Sequence, residues 1–380
     1  MAHELTADVV VVGAGAIGAS AARHLAAAGK RVVVLEALDG PAAGSTGRSF
    51  ASIRAQWADD LNIELSWRSI QAYREFPVDI GYRPSGYLLL VSTALWEAQL
   101  RAVDLQRAHG VPVEVLSFEA AQRITPFDTG GLGGTTWGPA DGVVDPHLVT
   151  SAYLDLARRD GATVRFHRAV ESINSHDDGS WTVAAGDLSV RAQHVVNAAG
   201  GWAGEIAALA GLRVPVVHSR RNVYSSAPGA LPTALPMTVD FTSGFYLRTD
   251  GPRLLFGGAR PDEPDGYRTD VDWPWLEELL DLGTRRFPWL NDVPLDRTGC
   301  WAGTYENTPD HHGILGAPAE APTWVNACGF SGHGMMQAPE IGRLAAEQIT
   351  GGAITSVDVS ALRVERFADA ATSRSVELVF

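Results

Sequence analysis

The length, composition and charge of the chain exclude several classes of protein. Its 380 residues are 46% apolar, which is enough for a sizeable core and for two or three domains. Thirty Lys and Arg residues against 44 Asp and Glu residues give a formal net charge of -14, so we expect no nucleic-acid-binding surface. We find no apolar run long enough for a membrane span, and residues 1–7 lack the positive charge of a signal peptide, which favours a cytoplasmic protein.

The first residues predict a nucleotide-binding unit. A β-branched strand at residues 8–12 runs into the loop Gly13-Ala14-Gly15-Ala16-Ile17-Gly18. An Ala-rich helix follows as far as residue 28, and a second buried strand at residues 31–35 ends at Glu36. Glycines between a strand and a helix are typical of dinucleotide binding.

Each residue of this motif has a physical reason. Gly13 makes the tight turn, Gly15 lets the backbone approach a pyrophosphate, and Gly18 lets the helix pack on the strand. Glu36 lies about 20 residues on, where a carboxylate accepts bonds from ribose hydroxyls, and we expect the fold itself to require little of it. Its negative charge argues against NADP, but the motif alone does not separate FAD from NAD.

Apolar periodicity and turn residues predict the elements that follow. Amphipathic helices are expected at residues 59–76 and 274–289, and another should run from the cap Asp145-Pro146 to about residue 159. Strands are predicted at residues 87–91, 133–137, 163–167, 194–198, 244–248, 253–256 and 324–327.

A second glycine-rich loop closes the informative part of the sequence. The predicted strand at 324–327 leads into Gly329-Phe330-Ser331-Gly332-His333-Gly334, and a helix is expected from about residue 336 to residue 350. Pro339 is placed in its first turn, where a missing N–H costs little. The chain thus presents another helix N-terminus to a ligand.

Further motifs occur between these two loops in a fixed order. They are Gly44-Ser45-Thr46-Gly47-Arg48-Ser49, Ile53-Arg54, Asp141-Gly142-Val143-Val144-Asp145-Pro146, Asn197-Ala198-Ala199-Gly200-Gly201-Trp202, Trp301-Ala302-Gly303 and Thr308-Pro309-Asp310. Together with the two loops they resemble the D-amino-acid oxidase superfamily of FAD-dependent oxidoreductases. The chain is most similar to the sarcosine oxidase and proline dehydrogenase β-subunit branch, with local likeness to D-amino-acid dehydrogenases.

The resemblance implies an α/β plus α+β fold with two domains. A discontinuous Rossmann-type FAD-binding domain would comprise residues 1–80, 145–215 and 320–370. A substrate domain with a mainly antiparallel sheet would comprise residues 81–144 and 216–319.

The resemblance also implies a set of FAD-binding residues. The set comprises Gly13, Ala14, Gly15, Ala16, Ile17, Glu36, Ala37, Ser45, Thr46, Arg48, Ser49, Val170, Ala199, Gly200, Trp202, Gly303, Gly329, Gly332, His333, Gly334 and Met335. Residues 329–335 are expected to surround the flavin ring. Hydride arriving at N5 leaves negative charge at N1 and the C2 carbonyl, and a helix N-terminus stabilises that charge.

Two departures from the family pattern bear on chemistry. Gly303 stands where monomeric sarcosine oxidases attach FAD through a cysteine, and Arg48 lies in the stretch where other relatives use histidine, so we expect non-covalent FAD. The single lysine, Lys30, lies in the turn after the first helix. Leu255 and Met336 occupy the positions of the two lysines that sarcosine oxidases use for oxygen and for the substrate carboxylate.

Five residues are candidates for substrate chemistry. Arginine suits an amino-acid carboxylate because its planar fork is always charged, and Arg54 and Arg221 match arginines of the related enzymes. Tyr246, Tyr305 and His333 could face the same cavity, with His333 assisting proton removal. For each of them the alternative is a solvated or core side chain.

The predicted function is oxidation of the C–N bond of an amino acid or secondary amine to an imine, by hydride transfer to flavin N5. A 2-hydroxy-acid dehydrogenase and a flavin-carrying subunit of a hetero-oligomeric complex stay open, because fold does not fix function. The electron acceptor (oxygen, a quinone or a carrier) and a homo- or hetero-oligomeric state are also open. His311-His312 with Cys300 and Cys328 matches no metal site, and so few cysteines suit a reducing compartment, although one disulfide is not excluded.

Overall fold

A computed structural model describes residues 3–368, so the outermost residues of the predicted ranges 1–80 and 320–370 lie outside the described part. The helices are α1 (Ala16–Ala27), α2 (Asp60–Arg74), α3 (Trp96–Ala108), α4 (Phe118–Ile124), α5 (Pro146–Arg159), α6 (Ala203–Leu209), α7 (Trp273–Arg286) and α8 (Gly334–Gly351). The strands are β1 (His3–Val12), β2 (Val32–Leu35), β3 (Ser52–Ile53), β4 (Tyr87–Ser92), β5 (Glu114–Leu116), β6 (Leu132–Gly138), β7 (Gly142–Val143), β8 (Thr163–Arg165), β9 (Ser172–Ser175), β10 (Trp181–Ala185), β11 (Leu188–Asn197), β12 (Val217–Ser225), β13 (Met237–Asp240), β14 (Phe245–Asp250), β15 (Arg253–Gly257), β16 (Trp301–Asn307), β17 (Ile314–Gly316) and β18 (Trp324–Cys328).

The first sheet has a parallel centre, in the order β17-β18-β11-β1-β2-β8. Strand β1 pairs in parallel with both β11 and β2, and the antiparallel β10 and β9 extend the sheet from β11. Val9 and Val11 of β1 face the cluster that holds α1, α5 and α8, whereas Val10 and Val12 face the opposite cluster. Burial on both faces explains why residues 9–12 of this strand are an unbroken run of valine.

The second sheet is antiparallel except where β13 pairs in parallel with β4, and its order is β16-β12-β15-β14-β13-β4-β6-β5. Leu88 and Leu90 point to one face, where the sheet packs against α7. Tyr87 and Leu89 point to the other face, against which Tyr246 packs. This alternation follows from the two-residue period of a strand. These two sheets confirm the predicted α/β plus α+β fold class.

The capping residues in the sequence predicted the start of α5 correctly. Asp145 caps α5 by accepting bonds from the N–H groups of His147 and Leu148, and Pro146 occupies the first helical position. The expectation for Pro339 was wrong. Helix α8 begins at Gly334, two residues before the predicted start, so Pro339 lies inside the helix beyond its first turn.

Sheet membership departs from the predicted domain ranges at two places: the two-stranded sheet that pairs β3 (range 1–80) with β7 (range 81–144), and strand β17. That strand falls within the predicted substrate range 216–319, yet it pairs antiparallel with β18 in the first sheet. The physical reason is the short connection between β17 and β18, which returns the chain directly alongside its neighbour. The two-domain division itself stays a proposal.

Candidate cofactor and substrate site

The loop after β1 is shaped by its close contact with β11. Gly13 has a φ of +104°, and a Cβ atom there would lie 2.4 Å from the Ala198 carbonyl oxygen, so both its conformation and its surroundings require glycine. At the N-terminus of α1, the N–H of Ala16 donates to Thr46 Oγ1 over 3.2 Å. The helix start and the 45–49 loop therefore form adjacent parts of one wall.

Glu36 has a structural role that the sequence did not reveal. Its carboxylate accepts bonds from the N–H groups of Ala14, over 2.6 Å, and Leu38, over 2.9 Å. The expectation that the fold requires little of this side chain was therefore wrong. The carboxylate ties the glycine-rich loop to the end of β2, and its residue lines the cavity described below.

The 45–49 loop is fastened to the second sheet at β16. Ser45 and Thr304 share a hydrogen bond of 3.2 Å, and Arg48 donates to the Ala302 carbonyl over 3.1 Å. Gly303 lies against Arg48, with no side chain that could form a thioether.

A cavity of about 420 Å³ lies between the two sheets. Most of the predicted cofactor residues line it: Gly13, Gly15, Ala16, Ile17, Glu36, Ala37, Ser45, Thr46, Arg48, Ser49, Val170, Ala199, Gly200, Trp202, Gly303, Gly332, Gly334 and Met335. Ala14, Gly329 and His333 do not line it. Ala14 and Gly329 instead donate their N–H groups to carboxylates of the wall, those of Glu36 and Glu306.

The start of α8 faces this cavity. His333 is the N-cap residue and its side chain caps no N–H, while Gly334 and Met335 of the first turn line the cavity. The positive end of the helix therefore lies at the cavity wall. Such an end suits negative charge developing on a bound ligand.

Arg221, Tyr246 and Tyr305 line the same cavity as the cofactor residues. In the β12–β16 ladder Arg221 is directly opposite Gly303, and its guanidinium lies 4.7 Å from the ring centroid of Tyr305. Tyr246 makes an edge contact with Phe50, and burial raises its pKa well above its ordinary value, which keeps the phenol protonated. Arg221 and the two phenols thus lie together in the cavity wall near Gly303, at the end where the flavin ring is expected, called the ring end below.

Arg54 does not line the cavity. It is 2% exposed, and its guanidinium stacks 3.8 Å from the ring centroid of Trp57 and donates to the Gln56 carbonyl. Burial lowers its pKa, while the nearby Tyr87 and Asp141 oppose that shift. The structure therefore favours Arg221 over Arg54 as a group that a ligand can reach.

His333 also lies behind the wall. It is 4% exposed and packs edge-on against Trp57, with 4.4 Å between the ring centroids. Burial, with the nearby Arg54 adding to it, lowers its pKa well below the ordinary value, so the imidazole is neutral at neutral pH. Direct proton removal by His333 receives no support from this position.

Sequence reasoning missed five polar residues of the wall, namely Arg168, Glu205, Thr304, Glu306 and Ser331. Glu306 directly follows the candidate Tyr305, and strand alternation sends it to the opposite face of β16. Ser331 has a φ of +51° and a buried hydroxyl group with no partner among the described residues. The pairing register of β16, had it been known, would have indicated Glu306 as a residue of the wall. No sequence signal marks the positive φ of Ser331.

The family model for "FAD dependent oxidoreductase" matches residues 8–348. The chain belongs to that family. This confirms the resemblance drawn from the motifs, and FAD is the cofactor. The wall fits FAD chemically, because it combines a carboxylate near the first loop with two helix N-termini, those of α1 and α8, neither of which has a side-chain cap.

Curated relatives align over almost the whole chain. FAD-dependent oxidoreductase domain-containing protein 1 of Bos taurus is 29% identical over 95% of this chain and 84% of its own length. The mitochondrial dimethylglycine dehydrogenase of Mus musculus is 27% identical over 91% of this chain, but the match spans only 42% of that enzyme. The predicted cytoplasmic location therefore stays a prediction, since matched relatives include mitochondrial proteins.

A solved structure matches the whole fold. L-proline dehydrogenase from P. horikoshii superposes with a TM-score of 0.89 and 29% identity, covering 96% of this chain and 99% of that one.

The structure also bears on the expectations about disulfides, metal ions and membrane spans. Both cysteines are free, Cys328 buried and Cys300 partly buried. Within residues 3–368 no group of three or more His, Cys, Asp and Glu side chains could hold a metal ion. No helix among these residues is long and apolar enough to cross a bilayer.

Proposed function

We propose that this protein dehydrogenates the C–N bond of a small amino acid or secondary amine and releases an imine. FAD, when bound, supplies the hydride acceptor at N5. The observation that carries the proposal is Arg221, a cation in the wall of the cofactor cavity, opposite Gly303 and against Tyr305. A carboxylate bound to Arg221 would hold the neighbouring amine at the ring end of the cavity.

The relatives support this substrate class. Dimethylglycine and proline, which appear in the names of two matched proteins, each combine a nitrogen substituent with a carboxylate. The chain covers less than half of the dimethylglycine enzyme, so the activity of that whole protein is carried over here as a proposal.

The protein's own task is to hold and orient the substrate. Arg221 would bind the carboxylate through its planar fork, which is a charge-assisted contact. Tyr246 and Tyr305 would form the sides of the substrate space and exclude water. Because the Tyr246 phenol stays protonated, it would act as a hydrogen-bond donor and not as a base.

Anaerobic titration of the FAD-loaded protein tests the proposal. Amino acids, N-methyl amino acids and 2-hydroxy acids are added separately, and loss of the oxidised flavin absorbance is recorded. Bleaching by amino or N-methyl amino acids is the expected result. Bleaching by hydroxy acids alone would make the protein a 2-hydroxy-acid dehydrogenase. No bleaching by any of them would favour a flavin-carrying subunit that needs a partner.

A further inference from the structure

The carboxylate of Glu306 lies in the wall of the cofactor cavity, and it has no role in the reaction proposed above. It lies on β16, on the face opposite Tyr305, and is directed to the loop before α8. A Cβ atom at Gly334 would lie 3.4 Å from Glu306 Oε1, and one at Gly200 would lie 3.9 Å from Oε2. The carboxylate is thus flanked by the backbone of the loop after β11 and by the backbone at the start of α8.

The partners of Glu306 do not use its full hydrogen-bonding capacity. The N–H of Gly329 donates to Oε2 over 2.9 Å, and the N–H of Phe330 also donates to the carboxylate. Among residues 3–368 no arginine, lysine or histidine lies within ion-pair distance of it. A carboxylate has about four acceptor positions, so capacity remains for donors from a ligand.

The electrostatic surroundings point the same way. Burial raises the pKa of Glu306 to about 7 despite the two N–H donors. A partly buried carboxylate without a cation is costly, and further hydrogen bonds from a ligand would lower that cost. Ser331 pairs with Glu306 in a β-bridge, so the two residues are neighbours in the cavity wall. The Ser331 Oγ has no hydrogen-bond partner among the described residues and is thus a second polar group available to a ligand.

The neighbours of Glu306 in the cavity wall indicate which part of a bound FAD it would contact. Glu36 lies at the end suited to the ribose of the adenosine half, and Gly303 with Arg221 lies at the ring end. Glu306 follows Gly303 by three residues on β16, and its carboxylate lies beside Gly200, in the loop after β11, and Gly334, at the start of α8. In FAD the ribityl chain, which carries hydroxyl groups, connects the pyrophosphate to the ring.

We propose that Glu306 is a cofactor-binding residue that accepts hydrogen bonds from the ribityl hydroxyls of FAD. The inference relies on FAD as the cofactor and not on the substrate proposed above. A purely structural role, in which Glu306 only anchors the loop through Gly329 and Phe330, is the alternative that the experiment must separate.

The test measures binding of FAD, and of FAD analogues that each lack one ribityl hydroxyl, to the apoprotein by flavin fluorescence. We expect the parent to bind at least one analogue on the order of 10- to 100-fold more weakly than FAD, the range of a charge-assisted bond. Glu306→Ala should bind FAD and that analogue equally. Glu306→Gln, which keeps the size of the side chain, should reduce the discrimination without abolishing it and serves if the alanine variant does not fold.

The matched control is Glu340→Gln. Glu340 is a buried glutamate of α8 that pairs with Arg343 and does not line the cavity, so this variant should discriminate as the parent does. An equal loss of affinity for FAD and every analogue in Glu306→Ala, with discrimination kept, would show the anchoring role alone and overturn the proposal. Equal binding of FAD and all analogues by the parent would overturn it as well.

Discussion

The hydroxyl group of Tyr73 donates a 2.6 Å hydrogen bond to the carbonyl oxygen of Met335. Met335 lies four residues before Pro339, and proline has no N–H to bond that carbonyl within the helix. Tyr73, which is 1% exposed, replaces the missing donor from α2. A side chain outside the cavity wall thus stabilises the first turn of α8, whose Met335 lines the cavity.

Tyr73→Phe should therefore affect both folding and cofactor binding. The change leaves a buried carbonyl without a donor, which should lower the free energy of unfolding by about 1–3 kcal/mol. Denaturant unfolding of the apoprotein measures this, and FAD titration should show weaker binding. Tyr82→Phe is the control, because it removes a 2.9 Å bond to the Ala140 carbonyl outside the cavity wall. Equal FAD affinity of the Tyr73 variant and the parent would contradict the coupling.

Asp141 should make stability depend on pH. Burial raises its pKa to about 7, although Gln56 and the N–H of Ala55 donate to it and Arg54 is near. The folded state therefore holds a proton that the unfolded state releases near pH 4, so this contribution to stability is lost as pH rises to about 7.

Asp141→Asn should flatten the fall in Tm between about pH 4 and pH 7, measured at saturating FAD. Asp281→Asn changes an exposed carboxylate on α7 and should keep the parent's slope. A parent-like slope in the Asp141 variant would show that another group causes the pH dependence.

The sequence predicted features whose cause is local. The positive φ at Gly13 and the cap at Asp145 are local conformations, so the spacing of neighbouring residues was sufficient to predict them. Which arginine reaches the cavity depends instead on the register of β12 with β16, a long-range pairing that composition and spacing do not encode. Spacing alone therefore makes Arg54 a candidate beside Arg221, although Arg54 stacks on Trp57 behind the wall.

Arg221→Met should impair substrates that carry a carboxylate. Losing a charge-assisted contact should raise KM on the order of 10- to 100-fold for the acid, and much less for the corresponding amide, if the contact is equally strong in the ground and transition states. Arg54→Met removes a buried cation and should lower Tm while affecting acid and amide alike. An equal effect of Arg221→Met on both substrates would show that another group holds the carboxylate, or that the substrate has none.

FAD should leave the protein when it is denatured. Gly303 offers no sulfur, and Arg48, which lies against it, offers no group that attaches flavin. Acid precipitation of the holoenzyme should release the flavin, measured by its absorbance in the supernatant. Colour retained in the denatured pellet would reveal a covalent bond to some other residue.

The surroundings of the ring end bear on the electron acceptor. A positive charge beside reduced flavin stabilises the superoxide formed by the first electron transfer to oxygen. Lys30 follows the C-terminal end of α1 and does not line the cavity, and Leu255 and Met336 are buried apolar side chains outside its wall. The cations that do line the wall in the described residues are Arg48, Arg168 and Arg221.

We therefore expect the reduced enzyme to react slowly with oxygen and rapidly with a quinone or a dye. Arg221 would be paired with the substrate carboxylate, and the Arg48 guanidinium is fixed in place by its bond to the Ala302 carbonyl, so we expect neither to take over the role of the lysine. Stopped-flow mixing of the reduced enzyme with air-saturated buffer, and separately with a quinone, measures both rates. Rapid reoxidation by oxygen with stoichiometric peroxide would make the protein an oxidase, and would mean that an arginine of the wall supplies the charge that lysine supplies elsewhere.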